Sequence, residues 1–246
     1  MPPMKPQTIE HSPLVITTEA QKSHQTIVEL LKDLLERDYL DGQTIFLSDL
    51  DGCLRYQPKL QNSLTFNFGR IHTAEIELMK AINGIPGLQF AVVTNQVTRG
   101  WFDGGFWGDG YGQQVSRLTS KIRKRIPGVC EITAFADFFA NHDVPIFGGS
   151  TKFLLPTFLW RYKVTQAAIK EVGDWIGQSE NFCDKEVLIM VGDWQSDMFF
   201  GKRLLTYLQR RYHFSGQGLF FLIDGKTKPN YAQMESLVND FSSLSK

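Results

Sequence analysis

Short apolar runs separated by helical patterns recur along this chain. Ile27, Leu30, Leu31, Leu34 and Leu35 follow the i, i+3, i+4, i+7, i+8 spacing of an amphipathic helix. Ile45 to Asp49 then reads as a buried strand that ends in polar residues. A helix is predicted over about 73–83, with Thr73 as N-cap and Glu75 and Glu77 in its first turns. Leu88 to Val93 is a second strand, ending in Thr94-Asn95-Gln96. Beyond it the pattern predicts a helix over about 112–125, a strand near 131–136 and an irregular connection to about 160. A helix at about 163–176, the strongly apolar strand Val187 to Val191, a helix at about 197–210, a strand at Leu219 to Ile223 and a helix at 231–243 complete it. Alternating strands and helices predict an α/β fold, a Rossmann-like parallel sheet with helices on both faces. Residues 1–18 show no periodicity and are expected to form a flexible N-terminal arm, leaving 19–246 as one domain.

Ligand sites in such sheets lie at the carboxyl ends of the strands. That rule gathers Asp49 and Asp51, Thr94 to Gln96, and Asp193 as expected neighbours, although they are distant in sequence. Asp-Gly alone is a common turn dipeptide. Two carboxylates at a buried strand end, however, repel each other and are expensive to keep ionised unless a cation joins them. Asp49 is a candidate nucleophile, since a carboxylate can accept a phosphoryl group and split a hard displacement into two easier ones. Asp51 is the candidate acid and base. Mg²⁺ prefers oxygen ligands. Asp49, Asp193 and the backbone carbonyl of Asp51 are the expected donors, with Asp197 as an outer or alternative ligand. Thr94 and a lysine would hold the phosphoryl group.

Composition narrows the picture only a little. The 246 residues carry 26 basic and 26 acidic side chains, so net charge gives no argument for nucleic acid or an anionic membrane. No apolar run approaches a membrane span, and the first residues lack the apolar stretch of a secretory signal. Cys53, Cys130 and Cys183 are too scattered for a disulfide framework or a paired-cysteine zinc site. A cytoplasmic location is the expectation.

The motifs together resemble the haloacid dehalogenase-like (HAD) phosphohydrolases. Asp49-Leu50-Asp51-Gly52-Cys53 matches their first motif, Val92-Val93-Thr94 their second, and Gly192-Asp193-Trp194-Gln195-Ser196-Asp197 their fourth. Lys163, about thirty residues before Asp193, fits the third motif better than Lys152 does, although the proline that usually follows is missing. The resemblance implies a Mg²⁺-dependent phosphatase working through an aspartyl-phosphate on Asp49. Thr94-Asn95-Gln96 is similar to the Thr-Asn-Gln subgroup of histidinol, heptose bisphosphate and polynucleotide 3′-phosphatases, which adds Asn95 and Gln96 to the substrate-binding set. Only Cys130 and His142 are present where the first two subgroups carry a zinc loop.

The short interval between Asp51 and Thr94 implies little or no cap domain. Trp101 and the Gly- and aromatic-rich loop at 101–111 are then the expected cover and substrate contact. The expected partner is a phosphorylated small molecule, with a nucleic-acid end as the alternative. The latter draws on the aromatic residues and the basic run at Lys121, Arg123, Lys124 and Arg125. A dehalogenase would not need Asp51, and a non-catalytic HAD-like binding module is the remaining rival.

Overall fold

A computed structural model describes residues 26–56, 72–99, 144–150 and 162–244. The elements are α1 (Ile27–Glu36), β1 (Thr44–Ser48), α2 (Thr73–Asn83), β2 (Gln89–Arg99) and β3 (Ile146–Ser150). After them come α3 (Gln166–Gly177), β4 (Val187–Gly192), α4 (Gln195–Tyr212), β5 (Gln217–Leu222) and α5 (Tyr231–Leu244). The five strands form one sheet in the order β3-β2-β1-β4-β5, and every pairing is parallel.

Side-chain alternation divides the core into two layers. Phe46, Phe90, Val92, Ile189 and Val191 face α1, α2 and α5. Their neighbours Ile45, Leu47, Ala91, Val93, Leu188 and Met190 face α3 and α4. A strand covered on both faces has no polar side, which is why β1 and β4 are buried throughout and read as unbroken apolar runs. Each large aliphatic side chain buried in this way contributes about 1.5–3 kcal/mol. The expected α/β architecture with a parallel sheet is therefore the observed one.

Local departures from the expected pattern have identifiable causes. Thr73 does not cap α2 but is its first residue. The cap is His72, whose Nδ1 accepts from the Ala74 N–H at 3.2 Å while Glu75 accepts from the His72 N–H at 3.0 Å. Strand β2 does not stop at Val93 but runs to Arg99, because β3 pairs with it across a register irregularity. Strand β3 lies inside the Pro- and Gly-containing stretch read as irregular, where the Gly-Gly pair masks the pattern. Lys163 does not begin the predicted helix. It belongs to a 3₁₀ turn, Tyr162–Val164, and α3 starts three residues later behind the cap Thr165. Several expectations lie outside the described residues: the arm at 1–18, the elements near 112–125 and 131–136, the basic run, Trp101 and its loop, Lys152, Cys130 and His142.

Candidate active site

Strand order reverses between β1 and β4, the place in such sheets where ligands bind at the carboxyl ends of the strands. Ser48 pairs with Val191, so Asp49 and Asp193 leave adjacent strands at nearly the same level. The Asp49 N–H donates to the Val191 carbonyl at 2.9 Å, which extends the ladder by one bond and fixes the start of the loop. Asp49 Oδ1 accepts from the Leu50 N–H at 2.7 Å and faces Lys163 Nζ at 2.9 Å. Thr94 is buried on β2, two residues beyond the partner of Ser48, and thus level with the loop after β1.

Asp197 is fully buried in the first turn of α4. Its Oδ2 accepts from the Trp194 N–H at 3.0 Å and its Oδ1 from Lys163 Nζ at 2.7 Å. Oxygens of Asp49, Asp193 and Asp197 all lie within 4.8 Å of one another. Glycines make this approach possible. A Cβ at Gly192 would run into Asp197, and one at Gly52 or Gly225 would run into Asp193. Gly52 also has φ +79°, which few side-chain-bearing residues adopt without strain.

Burial drives the electrostatics. It pushes the Asp49 carboxyl up to about 7, with the pull of Lys163 opposing and Asp197 reinforcing the rise. Burial, then Asp49 and Asp197, likewise push Asp193 up to about 7. Burial works against the Lys163 ammonium, but Asp49 and Asp197 outweigh it and raise that group. Three carboxylates thus share one buried ammonium. Asp193 Oδ1 is buried and has no hydrogen-bond partner among the described residues, a costly arrangement for a carboxylate. An all-oxygen donor set with an orphaned oxygen fits a hard divalent cation such as Mg²⁺. Asp197 has both oxygens engaged, which leaves Asp49 and Asp193 as the better donors.

These shifts carry a sign. Asp49 and Asp193 hold protons more tightly folded, near 7, than unfolded, near 3.8. Between those values the folded state binds more protons, so stability falls as pH rises. Thermal melts of metal-free protein should therefore lose ~5 °C or more between pH 4 and pH 7, and Mg²⁺ should restore most of that loss at pH 7.

Asp51 is placed differently. Its carboxylate pairs with the buried guanidinium of Arg55 and is not part of the Asp49–Asp193–Asp197 group. A tight turn makes the pair possible: Gly52 N–H donates to the Arg55 carbonyl and Arg55 N–H to the Leu50 carbonyl, both at 2.8 Å. The next residue, Tyr56, donates its N–H to Glu75 at 3.0 Å, and the Tyr231 hydroxyl donates to the same oxygen at 3.3 Å. Glu75 therefore ties the Asp51 turn to α2 and α5. The sequence does not mark Arg55, and it marks Glu75 only as a first-turn acid of α2, not as a support of the site. The four-residue spacing from Asp51 and the His-x-x-Glu cap are the signals that could have found these roles. The side chains of Asn95 and Gln96 lie outside the described residues. No protein-family model, curated protein sequence or solved structure matches this chain.

Proposed function

We propose that the protein is a Mg²⁺-dependent phosphatase of the haloacid dehalogenase-like kind, hydrolysing a phosphate monoester through an aspartyl-phosphate on Asp49. The observation that carries this reading is the group of Asp49, Asp193 and Asp197, with the buried Lys163 ammonium on Asp49 and Asp197, at the strand-order reversal. Lys163 and the Leu50 N–H both engage Asp49 Oδ1, and that leaves Oδ2 for attack on phosphorus. As the new P–O bond forms, the ester P–O bond breaks and the departing alkoxide takes a proton from Asp51. Asp51 then accepts a proton from water. The resulting hydroxide attacks the aspartyl-phosphate, regenerates the Asp49 carboxylate and releases inorganic phosphate. Asp51 must leave its pairing with Arg55 to do this. Mg²⁺, held by Asp49, Asp193 and the Asp51 carbonyl, would screen the anionic nucleophile from the anionic substrate and polarise the phosphoryl group. Lys163 would stabilise charge on the transferring oxygens, with Thr94 donating its hydroxyl.

The Asp51–Arg55 pair favours one rival, a binding module that holds a phosphate without turning it over. Hydrolysis of p-nitrophenyl phosphate separates the two. Turnover that requires Mg²⁺, stops with EDTA and returns when Mg²⁺ is restored supports the phosphatase. Turnover indifferent to EDTA contradicts the metal role. No turnover of this ester, or of sugar, nucleotide and DNA-end phosphates, favours the binding module. The phosphorylated small molecule remains the preferred substrate class. Among the described residues no helix is long and apolar enough to cross a membrane.

A further inference from the structure

Helix α4 begins at the acidic centre and leaves it with a different charge. Asp197 is its only acidic residue and is buried, whereas Lys202, Arg203, Arg210 and Arg211 are exposed. A groove of about 490 Å³ runs between α4 and α3. The half-buried Tyr207 ring, backed by the buried Ile169, forms its apolar side, and those four cations line the remainder with Gln166 and Thr206. The volume lies in the range typical of small-ligand sites.

A solvated helix face is the ordinary explanation for such residues, and the helix dipole accounts for Arg210 and Arg211 in the last turn. It does not account for Lys202 and Arg203, two turns earlier. Some surface cations are paired with neighbouring acids, as Arg37 is with Asp33 at 3.2 Å and Lys80 with Glu77 at 2.8 Å. In the groove, Lys202, Arg210 and Arg211 make no side-chain hydrogen bond or salt bridge among the described residues. Asp174, the acid beside Arg211, already accepts the hydroxyls of Tyr207 at 2.6 Å and Tyr212 at 2.8 Å. Arg203 is held in place by the Val164 carbonyl at 2.7 Å and Gln166 Oε1 at 3.0 Å. Its positive charge is therefore positioned in advance, bound to neutral acceptors that leave the charge uncompensated.

We propose that this groove is a second binding site, for a nucleotide-type ligand with a flat apolar body and at least one phosphate. The body would rest against Tyr207 and Ile169, and the phosphate would take Lys202, Arg203 and Arg210. Aromatic and guanidinium faces suit a base, and a cation cluster suits phosphate. Lys202 and Arg210 are eight residues apart, or about 12 Å along the helix, which also gives room for more than one phosphate. A free nucleotide and a nucleotide within a single strand share this chemistry. The site does not depend on the phosphatase reading.

The test uses full-length Asp49→Asn protein, in which turnover at the acidic centre is disabled, titrated with a fluorescent adenine mononucleotide and a short labelled oligodeoxynucleotide. Binding at ~50 mM salt that weakens steeply by ~200 mM is expected. The double variant Lys202→Glu/Arg210→Glu should bind at least tenfold more weakly while keeping its melting curve. If it melts early, Lys202→Gln/Arg210→Gln serves with the same expectation. Comparable affinity for both probes identifies a free-nucleotide site, and preference for the oligonucleotide a strand site; either supports the proposal. Failure of both probes to bind at ~50 mM salt, or unchanged binding by the folded double variants, overturns it.

Discussion

Asp49→Asn is expected to reduce turnover by about 10⁴-fold or more, the scale of loss when a member of a cooperating catalytic set is removed. The amide cannot become the nucleophile, and it carries no charge to a cation. The fold should survive. Asparagine occupies the same volume, Lys163 keeps Asp197 at 2.7 Å, and one of three crowded carboxylates is removed. Metal-free Asp49→Asn protein should melt no lower than wild type at pH 7, because burial already disfavours the ionised Asp49 there. Activity and melting curves measured on the same preparation check both halves. Equal turnover in variant and wild type ends the nucleophile assignment. A collapsed melting curve would mean that Asp49 is needed to build the sheet end itself.

Lys163→Met should have the largest effect on stability. Lys163 is buried and its ammonium contacts Asp49 at 2.9 Å and Asp197 at 2.7 Å. Methionine fills most of the stem but leaves those carboxylates without their cation. Breaking a buried pair by removing one partner costs about 3–5 kcal/mol, a fall of ~10 °C in melting temperature for a chain of this size. Mg²⁺ should recover part of the fall, since it would take over some of the same charge. Turnover should drop by at least about 10²-fold, in line with other lost electrostatic stabilisers. A melting temperature equal to that of wild type would remove the ammonium from the acidic centre.

The sheet was readable because its strands are buried on both faces, and continuous apolar runs such as Ile45 to Leu47 and Val187 to Val191 have few alternative fates. Asp49 and Asp193 were readable for a related reason: charge directly after a buried strand has only the strand end to occupy. What sequence could not supply was the partner of each charge. Asp51 and Asp49 are two residues apart, yet one faces Arg55 and the other Lys163, because the Leu50–Arg55 turn folds Asp51 onto Arg55 while Asp49 still extends the β1 ladder. Lys163 is legible from its spacing before Asp193, but not from its local structure. The helix predicted from about 163 starts later, so Lys163 lies in a 3₁₀ turn, and Asp49 and Asp197 accompany its burial. Glu75 was read as a first-turn acid favoured by the dipole. It also joins α2, α5 and the Asp51 turn, contacts 19 and 156 residues away that no local pattern encodes.

Phosphorylation of Asp49 is the step on which the phosphatase reading turns. Wild-type protein turning over p-nitrophenyl phosphate with Mg²⁺, quenched in acid and digested, can be searched by mass spectrometry for a phosphoryl group on the peptide containing Asp49. A phosphoryl adduct on Asp49, absent in Asp49→Asn protein and absent with EDTA, is the predicted result. Steady hydrolysis with no adduct on that peptide, or with the adduct on another residue, would contradict it.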